Sequence, residues 1–452
     1  MSSKVPLSQI AEIVMGQSPK GEEVNNKGIG LPLLNGPTEF TERYPIPVQH
    51  TAYAKKTSLP GDILFCVRGS TTGRMNYSDQ KYCIGRGLAA IRGRNGYPTP
   101  YIKAVLEAYL PELLAAATGS TFPNVSKDLI NNILVEVLPV ANACYISKFI
   151  EAQEEKVFNS NQINQTLEKM AQALFKSWFV DFEPVKAKIA VLEAGGSQEE
   201  ATLAAMTVIS GKDADSLAFF EREYPEQYAE LKATAELFPS AMQESELGEI
   251  PVGWEVGPLS DIATFTKGKI EVSKLTSDTY ISTENMLENK SGISQASSLP
   301  SVSTVPNFST GHILISNIRP YFKKIWLARF SGGRSADVLA FESKKNITIE
   351  FLYNLLYQDT FFDFMMLTSK GVKMPRGDKT AIMGWTCIKP QEKILNAFSK
   401  SINRLYLYIE SHNSENKYLT DLRDTLLPRL LSGEITLPEA ETWAAQVDTQ
   451  EA

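Results

Sequence analysis

A diverged internal repeat constrains this chain more than any other feature. Pro6-Leu7-Ser8-Gln9-Ile10-Ala11 returns as Pro258-Leu259-Ser260-Asp261-Ile262-Ala263, 252 residues later. Gly61-Asp62-Ile63-Leu64 returns as Gly311-His312-Ile313-Leu314 at an offset of 250. The segment Thr118–Pro123 resembles Thr368–Pro375, and Leu174–Phe179 aligns with Leu426–Leu431. Four landmarks in one order, at near-constant spacing, define two copies. Each is a domain-sized unit of about 140 residues followed by a helical segment.

The texture of the units is α+β. Short apolar runs (Ile63–Val67, Leu88–Ile91, Ile133–Leu138) are punctuated by Gly, Pro, Asn and Ser, which reads as short strands with turns between them. Tyr101–Ala117 and Ile349–Leu367 carry apolar residues at helical spacing. After each unit an apolar stripe steps by threes, fours and sevens, from Ile146 to Trp178 and from Ile394 to Leu430. Helices this long must bury the stripe, either against each other as an antiparallel coiled coil or each on its own unit. Residues 184–250 form an acidic helical insert between the copies, with a capping-box pattern at Ser197-x-x-Glu200 and a helix bracketed by Pro225 and Pro239. The divisions expected are 1–142, 143–183, 184–250, 251–392, 393–433 and an acidic tail, 434–452.

The net charge of −7 argues against a polyanion binder until it is located. The insert holds 5 Lys/Arg against 13 Asp/Glu, and residues 433–452 hold 5 acids and no base, so the repeated core is net +6. Cys66–Arg94 carries Arg68, Arg74, Lys81, Arg86, Arg92 and Arg94 against Asp79; Asn317–Arg334 carries Arg319, Lys323, Lys324, Arg329 and Arg334 against no acid. Lys370, Lys373, Arg376 and Lys379 form a third cluster. Two equivalent basic runs, interleaved with Ser70, Thr71, Thr72, Asn76, Asn317 and Tyr321, suit phosphate neutralisation and base-edge contact.

Signatures of catalysis are missing from the sequence. There is no G-x-x-x-x-G-K-[ST] loop, no Pro-Pro pair, and only three histidines, none at metal-ligand spacing. Gly85-Arg86-Gly87-Leu88-Ala89-Ala90 fits G-x-G-x-x-A but sits in a basic loop, outside a βαβ context. Four scattered cysteines, no signal-peptide pattern and no membrane-length apolar run lead us to expect a cytoplasmic protein with reduced thiols.

These landmarks, with Ala173–Phe182, Glu246–Trp254 and Leu426–Ile435, resemble the DNA-specificity (S) subunit of type I restriction–modification systems. The resemblance spans nearly the whole chain. It implies two α/β target recognition domains joined by two long antiparallel coiled-coil helices, each domain reading half of an interrupted double-stranded DNA target. It implies a non-catalytic chain without its own cofactor. Two modification (methyltransferase) subunits would hold S-adenosylmethionine, and restriction subunits, where present, ATP and Mg²⁺. His312 departs from the acid the family favours after Gly. DNA contacts are expected at Arg68, Ser70, Thr71, Arg74, Arg86, Arg92 and Arg94, and at Asn317, Arg319, Tyr321, Lys323, Lys324 and Arg334, plus Lys370, Lys373 and Arg376. Partner contacts are expected at Lys176, Trp178, Phe179, Phe182, Pro428, Arg429 and Leu431, where apolar residues continue past what a coiled coil can hide. The alternatives are a free-standing two-domain DNA-binding regulator and a metal-dependent nuclease. Tight DNA binding or Mg²⁺-dependent cutting by the isolated chain would mark them.

Overall fold

The computed structural model describes residues 3–117 and 123–435. Residues 118–122 of the third landmark, and the tail from 436, lie outside the described residues. The chain forms two compact units, residues 1–163 with 411–452, and residues 164–410.

The repeat seen in sequence is a repeat of topology. In the first unit a four-stranded antiparallel sheet runs in the order Ala11–Met15, Leu88–Gly93, Ile63–Cys66, Met75–Tyr77. In the second the order is Ala263–Phe265, Val338–Ser343, Ile313–Ser316, Ile325–Leu327. The registers match: Ile63 faces Ile91 as Ile313 faces Phe341. A two-stranded pair flanks each sheet, Ser3–Pro6 with Leu134–Val137 and Glu255–Pro258 with Thr386–Lys389. The central strands Ile63–Cys66 and Ile313–Ser316 are buried along their whole length, which is why both read as unbroken apolar runs.

The second sheet of each unit has diverged. Its core in both is a parallel pair, Leu33 beside Cys83 and Tyr280 beside Gly333. In the first unit Gln49–Thr51 adds to Leu31–Leu34; in the second Thr304–Phe308 adds to Gly332–Arg334, on the other member of the pair.

Each helical run expected after these sheets is two helices. Thr99–Ala108 gives way to Leu110–Ala116 because Pro111 has no N–H to continue the ladder. Ile349–Leu356 and Asp359–Leu367 are separated by Gln358, whose backbone is extended.

The long helices are Val140–Phe179 and Glu392–Leu431, 40 residues each, or about 60 Å at 1.5 Å per residue. They pair antiparallel. In the first unit Ile146 and Ile150 share a core with Leu426 and Leu430, and Lys156 pairs with Glu415 at 3.2 Å. In the second, Phe175, Trp178 and Phe179 pack around Phe398. The seam is not apolar throughout. Gln153, Ser160, Asn164 and Asn416 are buried, whereas Ile163 and Met170 of the expected stripe are exposed.

The insert folds as four helices, Glu183–Glu193, Gln198–Ser210, Ala214–Glu223 and Pro225–Glu236, then a hairpin of Met242–Ser245 and Gly248–Pro251. Ser197 and Glu200 make the reciprocal capping box. Lys188 is buried and donates to the carbonyls of Ala235 (3.1 Å) and Phe238 (2.7 Å), at and just beyond the C-terminal end of Pro225–Glu236. Burial lowers its pKa.

Candidate nucleic-acid interface

Strand register sorts the basic residues. Cys66 pairs with Leu88, and Phe65 with Met75, so Arg68, Arg74 and Arg86 extend from one end of the first unit's sheet. Arg92 and Arg94 fall at the opposite end, where the Arg94 N–H donates to the Ile10 carbonyl. The second unit repeats the arrangement. Ser316 pairs with Val338 and Ile315 with Ile325, which gathers Asn317, Arg319, Lys323, Lys324 and Arg334 at one end.

Both loops are pinned by the third landmark. In the first unit Gly69 N–H donates to Pro123 O at 3.2 Å and Val125 N–H to Val67 O at 2.9 Å. In the second, Arg319 N–H donates to Pro375 O at 2.7 Å, and Lys370 and Arg376 close a small hairpin through two backbone bonds of 2.9 Å. Two sequence landmarks about 55 residues apart are thus one structural feature. Arg319 has φ +49° and Lys323 φ +50°, bracketing the turn Pro320–Phe322 that exposes Tyr321. Such conformations cost L-residues energy and persist where surroundings impose them.

The surface charge is smaller than the sequence count. Arg68, Ser70, Arg74, Arg86 and Arg94 are exposed and Thr71 is half-buried. Arg92, however, is an internal ion-pair partner, 2.7 Å from the nearly buried carboxylate of Asp62. Arg334 is buried and donates to Val338 O at 2.5 Å, Asn307 O at 3.3 Å and Thr266 Oγ1 at 3.3 Å. Asn317 is buried and donates to Gly377 O at 3.1 Å. Arg92 braces the Gly61–Leu64 turn at the far end of the first sheet, Arg334 and Asn317 hold the second unit's loops, and all three are corrected from contact residues to supports. Lys323 and Lys290 converge on Asp359 at 3.1 and 2.7 Å, holding its carboxyl below the usual range. Lys324 donates to Thr283 O, Arg376 pairs with Asp337 at 2.8 Å, and Lys370 with Asp378 at 2.7 Å. Arg319, Tyr321 and Lys373 are exposed, and Lys370 and Arg376 stay exposed within their surface ion pairs.

The aromatic segment is also corrected. Trp178, Phe179 and Phe182 are buried against Phe238, Trp254, Phe351 and Phe398, and Leu431 is buried in the first unit's core. Of the expected partner residues, Lys176 and Pro428 are exposed and Arg429 is half-buried beside Glu434 at 2.9 Å. Among the described residues no group of three His, Cys, Asp or Glu is arranged for a metal ion, and no helix is long and apolar enough to cross a membrane.

A family model for the type I restriction modification DNA specificity domain matches residues 2–169. The type I restriction enzyme HindI specificity subunit of Haemophilus influenzae is 31% identical over 407 residues, covering 84% of this chain and 88% of that one. The MjaIX specificity subunit of Methanocaldococcus jannaschii is 21% identical over 403 residues, covering 84% and 78%. The crystal structure of the type I restriction–modification S subunit from M. genitalium superposes with a TM-score of 0.51 at 14% identity, covering 95% of this chain and 96% of that one. At that identity the likeness is one of fold.

Proposed function

The chain belongs to the family of type I restriction–modification DNA specificity subunits, and on that premise we propose that it reads an interrupted, asymmetric DNA sequence, one half per repeat unit. The observation that carries this reading is the duplicated loop frame. Each unit presents the same sheet end, pinned by the same landmark, but with different side chains on it. Residues 1–142 and 251–392 would be the target recognition domains.

The long helices, each shared by both units, would set the gap between half-sites and dock two methyltransferase subunits. Their docking surface would include Lys176, Pro428 and Arg429. S-adenosylmethionine chemistry, and any ATP-driven cleavage, would belong to the partner subunits, and this chain would supply recognition. Within each unit the exposed cations, such as Arg68 and Arg319, would hold phosphates, which position a protein on DNA without specifying sequence. Single-molecule methylation sequencing of a host expressing this chain with its modification subunit tests the proposal. The expected result is one bipartite motif with an unspecified gap; an ungapped motif, or none, overturns it.

A further inference from the structure

The first unit carries an open groove of about 720 Å³ that shares only Arg86 with the basic runs. Its polar walls are Ser18, Asn25, Asn26, Asn35, Gln49 and Arg86. The groove is built by close backbone approach. A Cβ on Gly85 would stand 2.3 Å from Asn35 Oδ1, one on Gly87 2.4 Å from Asn35 O, and one on Gly16 2.1 Å from Gly85 O. Gly85-Arg86-Gly87 therefore needs its glycines to interlock with Asn35, and they place the intervening Arg86 on the groove wall.

Hydrogen bonds divide these side chains into supports and free readers. Asn25 is saturated: it donates to Ile29 O and His50 O and accepts from the N–H groups of Lys27 and Ile29. Ser18 Oγ donates to Asn35 Oδ1 at 3.1 Å and accepts from the Arg86 N–H at 3.1 Å. Asn35 Nδ2 donates to Gln49 Oε1 at 3.3 Å. Gln49 is thereby held by one lone pair, leaving a second lone pair and its amide N–H groups to face the groove. The Arg86 guanidinium has no hydrogen-bond or ion-pair partner among the described residues.

A donor–acceptor amide matches the N7 and N6 edge of adenine, and a guanidinium fork matches O6 and N7 of guanine. We propose that this groove is the base-reading site of the first unit, with Gln49 specifying an adenine and Arg86 a guanine. Asn35 is a positioning residue for Gln49. The proposal rests on the specificity-subunit reading. The second unit supports it by contrast. There Ser335 N–H donates to Ile281 O as Gly85 N–H does to Leu34 O, and Asp337 O accepts from Asn317 N–H as Gly87 O does from Val67 N–H. At the place of Arg86 stands Ala336, so the same frame carries different chemistry and would read a different half-site.

The test is methylation sequencing of the complete complex, in which the two halves of the motif act as internal controls. Gln49→Ala should relax one adenine position, and Asn35→Ala the same position. Arg86→Lys, which keeps the charge but loses the fork, should relax one guanine in the same half-site. Discrimination at each position should fall about ten- to hundredfold, with the other half-site and the gap unchanged. Gln49→Glu, an acceptor only, should shift the adenine position toward cytosine. Variants that methylate the wild-type motif with full stringency, or that relax both half-sites equally, overturn the groove while leaving the specificity-subunit reading intact. A wild-type complex without any motif overturns both.

Discussion

At the scale of the residue, the two copies show how a repeat diverges without losing a turn. Leu59 N–H donates to the carboxylate of Asp62 at 2.8 Å, and the equivalent Ser309 N–H donates to Nδ1 of His312 at 3.0 Å. The imidazole replaces the acid that the sequence pattern led one to expect. Its neighbour has changed sign in step: Arg92 pairs with Asp62, while the residue facing His312 across the register is Glu342. As an acceptor, Nδ1 must be unprotonated, and burial lowers the His312 pKa accordingly. The contribution to stability is present above the ordinary histidine value and is lost as pH falls through the lower folded-state value. His312→Asp alone places two carboxylates together and should lower the melting temperature. Adding Glu342→Arg should recover most of the loss, with a coupling of about 0.5–3 kcal/mol. Additive single effects in that double-mutant cycle would show that the two positions are uncoupled.

At the scale of the element, the long helices were legible and their faces were not. Forty residues of three-and-four spacing identify a helix, but Trp178, Phe179 and Phe182 looked unpaired because Phe238 and Trp254, which cover them, lie 56 or more residues further along the chain. The same distance problem hid the ion pair that engages Arg92, since its partner Asp62 lies 30 positions back. Nor does periodicity reveal that Gln153, Ser160 and Asn416 fill buried seam positions; Asn416 donates to Asn161 Oδ1 at 2.7 Å. Buried polar pairs of this kind favour one alignment of two helices over its slipped neighbours, at some cost in stability. In the second unit, burial pushes the pKa of Glu168 up to about 7. The folded state then binds a proton that the unfolded chain releases near 4.5, so stability falls as pH rises from about 4.5 to 7. Glu168→Gln should therefore raise the melting temperature at pH 8, by an amount reflecting roughly 1–3 kcal/mol. The gain should vanish near pH 4.5. An equal gain at both pH values would mean that packing, not ionisation, is responsible.

At the scale of the whole molecule, the net charge of −7 mixes three parts that act separately. The acidic insert packs through Phe238 and Val185 into the second unit's core, and leaves its carboxylates outward. The repeated core carries an excess of cations, of which Arg68, Arg74, Arg86 and Arg319 are exposed on loop frames present twice. The division between the units falls inside both long helices, at Ile163/Asn164 and Glu410/Ser411, so residues added there lengthen only the helices. A rise of 1.5 Å per residue makes a four-residue insertion in each helix worth about 6 Å, close to two base pairs of about 3.4 Å. Seven residues, a full heptad that keeps the seam in phase, add about 10.5 Å, close to three base pairs. If these helices set the gap in the target, methylation motifs of the two variants should keep both half-sites and widen the gap by about two and three positions. The heptad insertion should retain more activity, because four residues leave the seam about 40° out of phase with a straight helix. A gap that stays constant across the series, with both half-sites still methylated, would mean that the helices join the two units without measuring the distance between their targets.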